Sequence, residues 1–245
     1  DPEGLAALLE KLDAAGRRVK FLYTVPTCHN PTGGTLSLER RQAILVLADQ
    51  HGMLVLEDNT YGAIRFSAPP PAFIALDPER TIHLGSFSKT IAPGLRAGWI
   101  ATRPELVTAI NSVRTDLGVS PLAQRVVTRF VQSDAFPRRL EQLSSHYRAK
   151  RDRMLAGLKR HCRGLAEWQV PEGGFFVWLY LTGCTAAAAL DTGEAEKVSF
   201  MPGSYFAAEP GMLASHVRLS YGELAAGEID EGLRQLGQAL ARASG

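Results

Sequence analysis

Leucines and alanines recur at helical intervals from Leu5 to Ala15 and stop at Gly16, which predicts an amphipathic helix. Val19 to Val25 is rich in β-branched and aromatic residues and predicts a buried strand. A dense turn signal follows, Pro26-Thr27-Cys28-His29-Asn30-Pro31-Thr32-Gly33-Gly34,. Ser37 is placed to cap a helix over Leu38 to His51, with Gly52 to end it,. Met53 to Leu56, Thr81 to Leu84 and Ala97 to Ala101 are further apolar runs of strand length, with a rigid surface loop at Ala68 to Ala72. Strand, helix, strand at this spacing predicts an α/β fold with a mostly parallel sheet flanked by helices.

The pattern changes in the second half. Helices are expected from Pro104 to Thr115 and from Pro121 to Gln132. A long basic amphipathic one follows from Phe136 to His161, with leucines at 140, 143, 155 and 158. Trp168 to Tyr180, Val198 to Gly203 and Val217 to Tyr221 alternate and read as strands of a smaller sheet, and Glu228 to Ala241 as a final helix,. Ala186 to Ala189 reads as a short low-complexity run. The expected organisation is a large domain over 1–140 and a smaller α+β domain over 141–245, joined by the long helix.

The 245 residues suffice for two modest cores,. A net charge of +2 gives no nucleic-acid or membrane surface, and no apolar run reaches bilayer length,. Cys28, Cys162 and Cys184 show no metal-ligand spacing and cannot all pair. They point to no metal and to a reducing, cytoplasmic compartment. Cys28-His29 is a poor thiol–base pair, because neighbours in an extended segment point to opposite sides.

The polar clusters that carry chemistry follow the ends of the expected strands, where α/β sheets place their sites. Gly85-Ser86-Phe87-Ser88-Lys89 leads after a Pro93-Gly94 turn to Arg96. It is no nucleotide phosphate loop: Ser88 stands where the second glycine of that motif belongs,. By itself it is open between a solvated loop lysine and a lysine that forms a Schiff base, with Ser86, Ser88 and Arg96 on an attached phosphate.

Taken together, His29-Asn30-Pro31-Thr32-Gly33, Glu57-Asp58-Asn59-Thr60-Tyr61-Gly62, Ser86-Phe87-Ser88-Lys89, Pro93-Gly94-Leu95-Arg96, Pro171-Glu172-Gly173-Gly174, Pro202-Gly203 and Arg218 resemble the fold-type I pyridoxal-phosphate-dependent aminotransferases of class I/II. The nearest subgroup is the 2-aminoadipate, kynurenine and aromatic transaminases. The aminotransferase-like half of MocR-type winged-helix regulators is the alternative.

The resemblance implies pyridoxal 5'-phosphate as cofactor, amino acid and 2-oxo acid as substrates, and a homodimer. Lys89 becomes the Schiff-base lysine and proton shuttle, and Asp58 the partner of the pyridine nitrogen. Asn30 and Tyr61 hydrogen-bond the ring oxygen, and Ser86, Ser88 and Arg96 hold phosphate. Arg218, with Asn30, takes the substrate carboxylate. Gly173-Gly174 is expected to serve close backbone packing, Phe176 and Trp178 the core, and His29 and His83 to line the site or to serve structure. Family chains are longer at the N-terminus, so this sequence reads as the C-terminal part of a longer protein, with both edges of its large sheet bare.

Overall fold

In the larger sheet, β1 (Phe21–Thr24), β2 (Leu54–Asp58) and β3 (Thr81–Ser86) run parallel, and β4 (Gly98–Ala101) pairs antiparallel with β3. Their order across the sheet is β1-β2-β3-β4. The computed structural model describes residues 1–116 and 118–245. The chain falls into two units: Asp1–Thr27, Thr35–Ala63 and Ala68–Glu141 form the first, and Cys28–Gly34, Ile64–Ser67 and Gln142–Gly245 the second.

In the first unit, α1 (Pro2–Ala14) starts on an Asp1 cap, whose carboxylate accepts from the Glu3 and Gly4 amides,. Next, α2 (Leu38–Gln50) starts at Ser37, whose hydroxyl accepts from the Arg40 amide at 3.3 Å. Leu9, Ile44, Ala48, Met53, Val55 and the short α3 (Phe73–Leu76) pack into one core through Phe73. The triple-proline stretch is the loop expected over Ala68 to Ala72, and it leads into α3. Then α4 (Pro104–Val113) and α5 (Pro121–Val131) follow β4, each opened by proline,.

β1 departs from the expected buried strand. Phe21 and Tyr23 are 53% and 52% exposed. The strand lies at the edge of the sheet, so one side of each apolar side chain has no neighbouring strand.

The long α6 (Ala135–His161) begins in the first unit and ends in the second. There β5 (Ala166–Trp168), β6 (Phe176–Leu181), β7 (Met201–Pro202) and β8 (His216–Ser220) make an antiparallel sheet in the order β5-β6-β8-β7. Val177, Leu179, Val217 and Leu219 share its core with Leu158 of α6 and Leu233, Leu236 and Leu240 of α8 (Ala226–Ala243).

The short alanine run starts a helix not expected from the sequence, α7 (Ala186–Glu196). Thr185 caps it, and Thr192 Oγ1 donates to the Ala239 carbonyl of α8 at 3.0 Å. Its small residues let the two helices approach closely, a packing that leaves no leucine periodicity to read. The run expected as a strand over Val198 to Gly203 contracts to two residues, because the chain turns into a 3₁₀ turn at Gly203–Phe206.

Two short segments, Cys28–Gly34 and Ile64–Ser67, group with the second unit although they lie within 1–140. Side chains of Ser144 and Arg148 hydrogen-bond the Arg65 and Phe66 carbonyls. The Phe66 amide donates to the Glu172 carbonyl at 2.7 Å. The Gly174 amide likewise donates to the Ile64 carbonyl at 2.7 Å. Gly173 makes this possible: a Cβ there would overlap Cys28 Sγ and the Ile64 carbonyl and stand 2.8 Å from the Arg65 Cα. Most of these obstacles are backbone and cannot swing aside. Gly173→Ala should therefore destabilise the fold by about 1–3 kcal/mol. A urea unfolding midpoint equal to that of the unaltered protein would show that the segments have room to part.

Candidate active site

Strand register decides which side chains meet in the first unit. Tyr23 pairs with Leu56, and Asp58 pairs with Leu84. Side chains two apart on a strand share a face, so Tyr23, Leu56, Asp58, Leu84 and Ser86 all project from one side of the sheet. The diagonal from Tyr23 to Asp58 is short enough for a long side chain to span. Accordingly the Tyr23 hydroxyl donates to Asp58 Oδ2 at 2.9 Å. The other carboxylate oxygen is held by Thr60, whose amide and hydroxyl donate to Oδ1 at 3.0 and 2.7 Å. Burial, then the hydrogen bond to Asp58, push the Tyr23 phenol up to about 12.

The neighbouring carboxylate faces the other way. Glu57 is fully buried and stands in register with His83, whose Nδ1 lies 2.6 Å from its Oε2. The amides of Phe73 and Ile74 donate to the same carboxylate at 3.1 and 3.4 Å. Arg41, also fully buried, lies 3.7 Å away. Its guanidinium donates to the Leu36, Pro71 and Pro26 carbonyls and to Thr27 Oγ1. Burial lowers the Arg41 pKa from its ordinary value, and Glu57 counters part of that. His83 also stacks on Trp99, ring centroids 5.1 Å apart. This is the structural role expected for His83.

The lysine stretch is the loop between β3 and β4. The Phe87 amide closes it onto the Ala97 carbonyl at 3.1 Å, and the Ser88 amide donates to Ser86 Oγ at 3.2 Å. Arg96 takes a left-handed conformation, φ 47°, after the 3₁₀ turn Pro93–Leu95. Lys89 is half-buried and Arg96 exposed. Neither has a carboxylate within ion-pair distance among the described residues. Lys89, Arg96 and Ser88 on the loop, with Ser86 at its base, are residue types that can bind an anionic group,. Tyr61 lies half-buried just past the end of β2.

In the second unit, β6 and β8 put Trp178 opposite Arg218. The Arg218 guanidinium lies 4.2 Å from the Phe176 ring centre and 5.1 Å from that of Phe206, and its Nη1 donates to Asn30 Oδ1 at 2.8 Å. Contacts of this kind hold a guanidinium in place beside aromatic rings. Phe176, expected in the core, is thus half-buried and serves as a platform for Arg218. Trp178 stacks on His216 at 5.4 Å and meets Phe206 edge-on. Cys28 and His29 take separate partners, the Ile64 carbonyl and Thr32 Oγ1. The backbone at Cys28 is left-handed, φ 53°, rather than extended. The Gly174 carbonyl accepts from the Tyr221 hydroxyl at 2.9 Å, in keeping with the packing role expected of the glycine pair.

A family model described as aminotransferase class I and II matches residues 1–236. The chain belongs to the class I and II aminotransferases. It is 34% identical to aromatic-amino-acid aminotransferase 1 of Thermococcus litoralis, over 95% of this chain and 57% of that one. It is 32% identical to the helix-turn-helix transcriptional regulator YdfD of Bacillus subtilis, over 97% of this chain and 50% of that one. The α-aminoadipate aminotransferase of Thermus thermophilus, solved with N-(5'-phosphopyridoxyl)-L-leucine, superposes with a TM-score of 0.89 at 35% identity. That match covers 98% of this chain and 62% of the other. The chain therefore spans less than two thirds of the length of each of these relatives. For a class I and II aminotransferase, the sequence motifs pass over three features of these sites: the Tyr23 and Thr60 contacts to Asp58, and the Phe206 face on Arg218. The Tyr23 contact needs the β1–β2 register, which the sequence does not show, and nothing in the sequence marks Phe206.

Proposed function

We propose that the protein transfers an amino group from an amino acid to a 2-oxo acid, with pyridoxal 5'-phosphate as cofactor. The observation that carries this is the β3–β4 loop. It presents Lys89 and Arg96, which have no carboxylate partner among the described residues, at the sheet end where Asp58 is bonded by Thr60 and Tyr23. These residues fit the group: an anion receptor for its phosphate, an amine for its aldehyde and a fixed carboxylate for its ring nitrogen. Ser86, Ser88 and Arg96 would hold the phosphate, and Arg96 suits bidentate contact. Asp58 would pair with the ring nitrogen, and Tyr61 and the Asn30 amide would donate to the ring oxygen.

The bound group supplies an electron sink for the pair left at the substrate Cα. Lys89 Nζ would take the proton from that carbon. Arg218, braced by Phe176, Phe206 and Asn30, takes the substrate carboxylate. The names of the relatives support aromatic amino acids and 2-aminoadipate as the substrate range.

A homodimer in the cytoplasm completes the reading. Its support is the family resemblance and three free cysteines. No helix among the described residues is long and apolar enough to cross a membrane.

The test is product balance. The protein, supplied with pyridoxal phosphate, an aromatic amino acid and 2-oxoglutarate, is expected to yield glutamate and the aromatic 2-oxo acid in equal amounts. Failure to take up the cofactor sinks the proposal. The likeness to YdfD favours one second reading, an aminotransferase-like sensor domain of a regulator. Its signature in the same assay is cofactor uptake and amino-acid binding without release of a free 2-oxo acid.

A further inference from the structure

We infer that Tyr23 is a positioning residue: its hydroxyl, bonded to Asp58 Oδ2, sets the direction and acceptor strength of the carboxylate offered to the cofactor ring. This rests on the function just proposed.

A carboxylate offers about four lone-pair sites. On Asp58, Thr60 fills two from one side through its amide and hydroxyl, both on Oδ1. Tyr23 fills a third on Oδ2. The remaining site is on Oδ2, the oxygen that also receives the phenol. Gripping both oxygens stops the carboxyl rotating about its Cβ–Cγ bond, so that last lone pair keeps one direction. Tyr23 also draws charge from the same atom and moderates how strongly it pairs with a ring N–H. Because the phenol pKa is raised to about 12, Tyr23 stays protonated, and stays a donor, across any working pH.

Packing does not ask for a hydroxyl here. Tyr23 is 52% exposed on an edge strand, and phenylalanine fills the same space. Among the described residues the hydroxyl's hydrogen bond goes to the carboxylate, and Tyr61 is the other ionisable group that acts on it.

The experiment is a double-mutant cycle on the protein with pyridoxal phosphate, reading cofactor affinity by fluorescence titration and the pH dependence of the bound cofactor's absorbance. Tyr23→Phe is expected to raise the cofactor Kd about tenfold, the scale of one hydrogen bond to a charged group. It is also expected to move the absorbance midpoint by about half a unit, with the melting temperature unchanged. In an Asp58→Asn background the same change should alter Kd by less than about twofold and leave the midpoint in place, since a coupling term exists only while both partners do.

Equal losses in both backgrounds, or no loss in either, overturn the inference. If Asp58→Asn fails to fold, Tyr23→Phe is compared with Tyr23→Leu. A role carried by the hydroxyl gives equal losses, and a much larger loss for leucine assigns the effect to the ring and overturns the inference. Wild-type protein that takes up no cofactor brings down the proposed function and this inference with it. Wild-type uptake with additive substitutions brings down this inference alone.

Discussion

Lys89→Ala is expected to lower amino-group transfer by at least about 10³-fold, toward the upper end of what positioned acid–base groups contribute. Under the proposed function this one side chain has two duties, attachment of the cofactor and movement of the proton at the substrate Cα, and no second amine stands on its loop. Arg96 and the serines remain, so on the proposed reading their hold on the phosphate survives and the cofactor should still be retained, more loosely. Stability should hardly change: the side chain is half-buried and has no ion pair among the described residues, and substitutions away from structural contacts usually stay within about 0.5 kcal/mol,. The check is a rate assay paired with a urea unfolding curve, repeated with methylamine in the buffer. Loss of rate with an unshifted midpoint and partial recovery by the small amine is the expected outcome. A variant that keeps a tenth of the activity would take Lys89 out of the chemistry.

Glu57→Ala is expected to be the most damaging single change to stability, at about 3–5 kcal/mol. The carboxylate is fully buried and so is Arg41 beside it. Removing one partner leaves the other charge in the interior, and it also strips the acceptor from the Phe73 and Ile74 amides and from His83. The carbonyls around Arg41 satisfy its donors but not its charge. Glu57→Gln keeps the shape and at least one acceptor while discarding the charge, so it separates the two contributions. Unfolding of both variants in urea, with the slope of the transition checked for constancy, measures them. A loss below about 1 kcal/mol for the alanine variant would mean that water reaches Arg41.

Adjacent acids thus have opposite fates. Glu57 and Asp58 are neighbours in sequence and turn to opposite faces of β2, one into a buried network and one toward the site. The sequence motif marks Asp58 through its family pattern, but nothing local marks Glu57, because its partners come from α2, α3 and β3. The regular elements were legible wherever apolar spacing or caps were strong, as at Ser37 and through α6. They were not legible where small residues do the packing, as in α7. The exposure of β1 was also hidden, although bare sheet edges were expected: a run of Phe, Leu and Tyr reads as buried unless the strand is known to be the one at the edge. Candidate site residues could be named from motifs, but their mutual contacts, Arg218 with Asn30 and Tyr23 with Asp58, join positions 188 and 35 residues apart and depend on strand register.

The reversal of β4 against β3 has a consequence for how this protein can vary. A crossover to another parallel strand would have carried Arg96 to the far end of the sheet. The hairpin instead returns it to the end it left after Ser86, with the Phe87–Ala97 hydrogen bond clasping the loop at its base. Insertions or deletions at the Pro93–Gly94 tip can alter the reach between amine and guanidinium without disturbing the ladder below. Lys89 and Arg96 therefore form a single heritable cassette, one whose length can drift while its footing stays put.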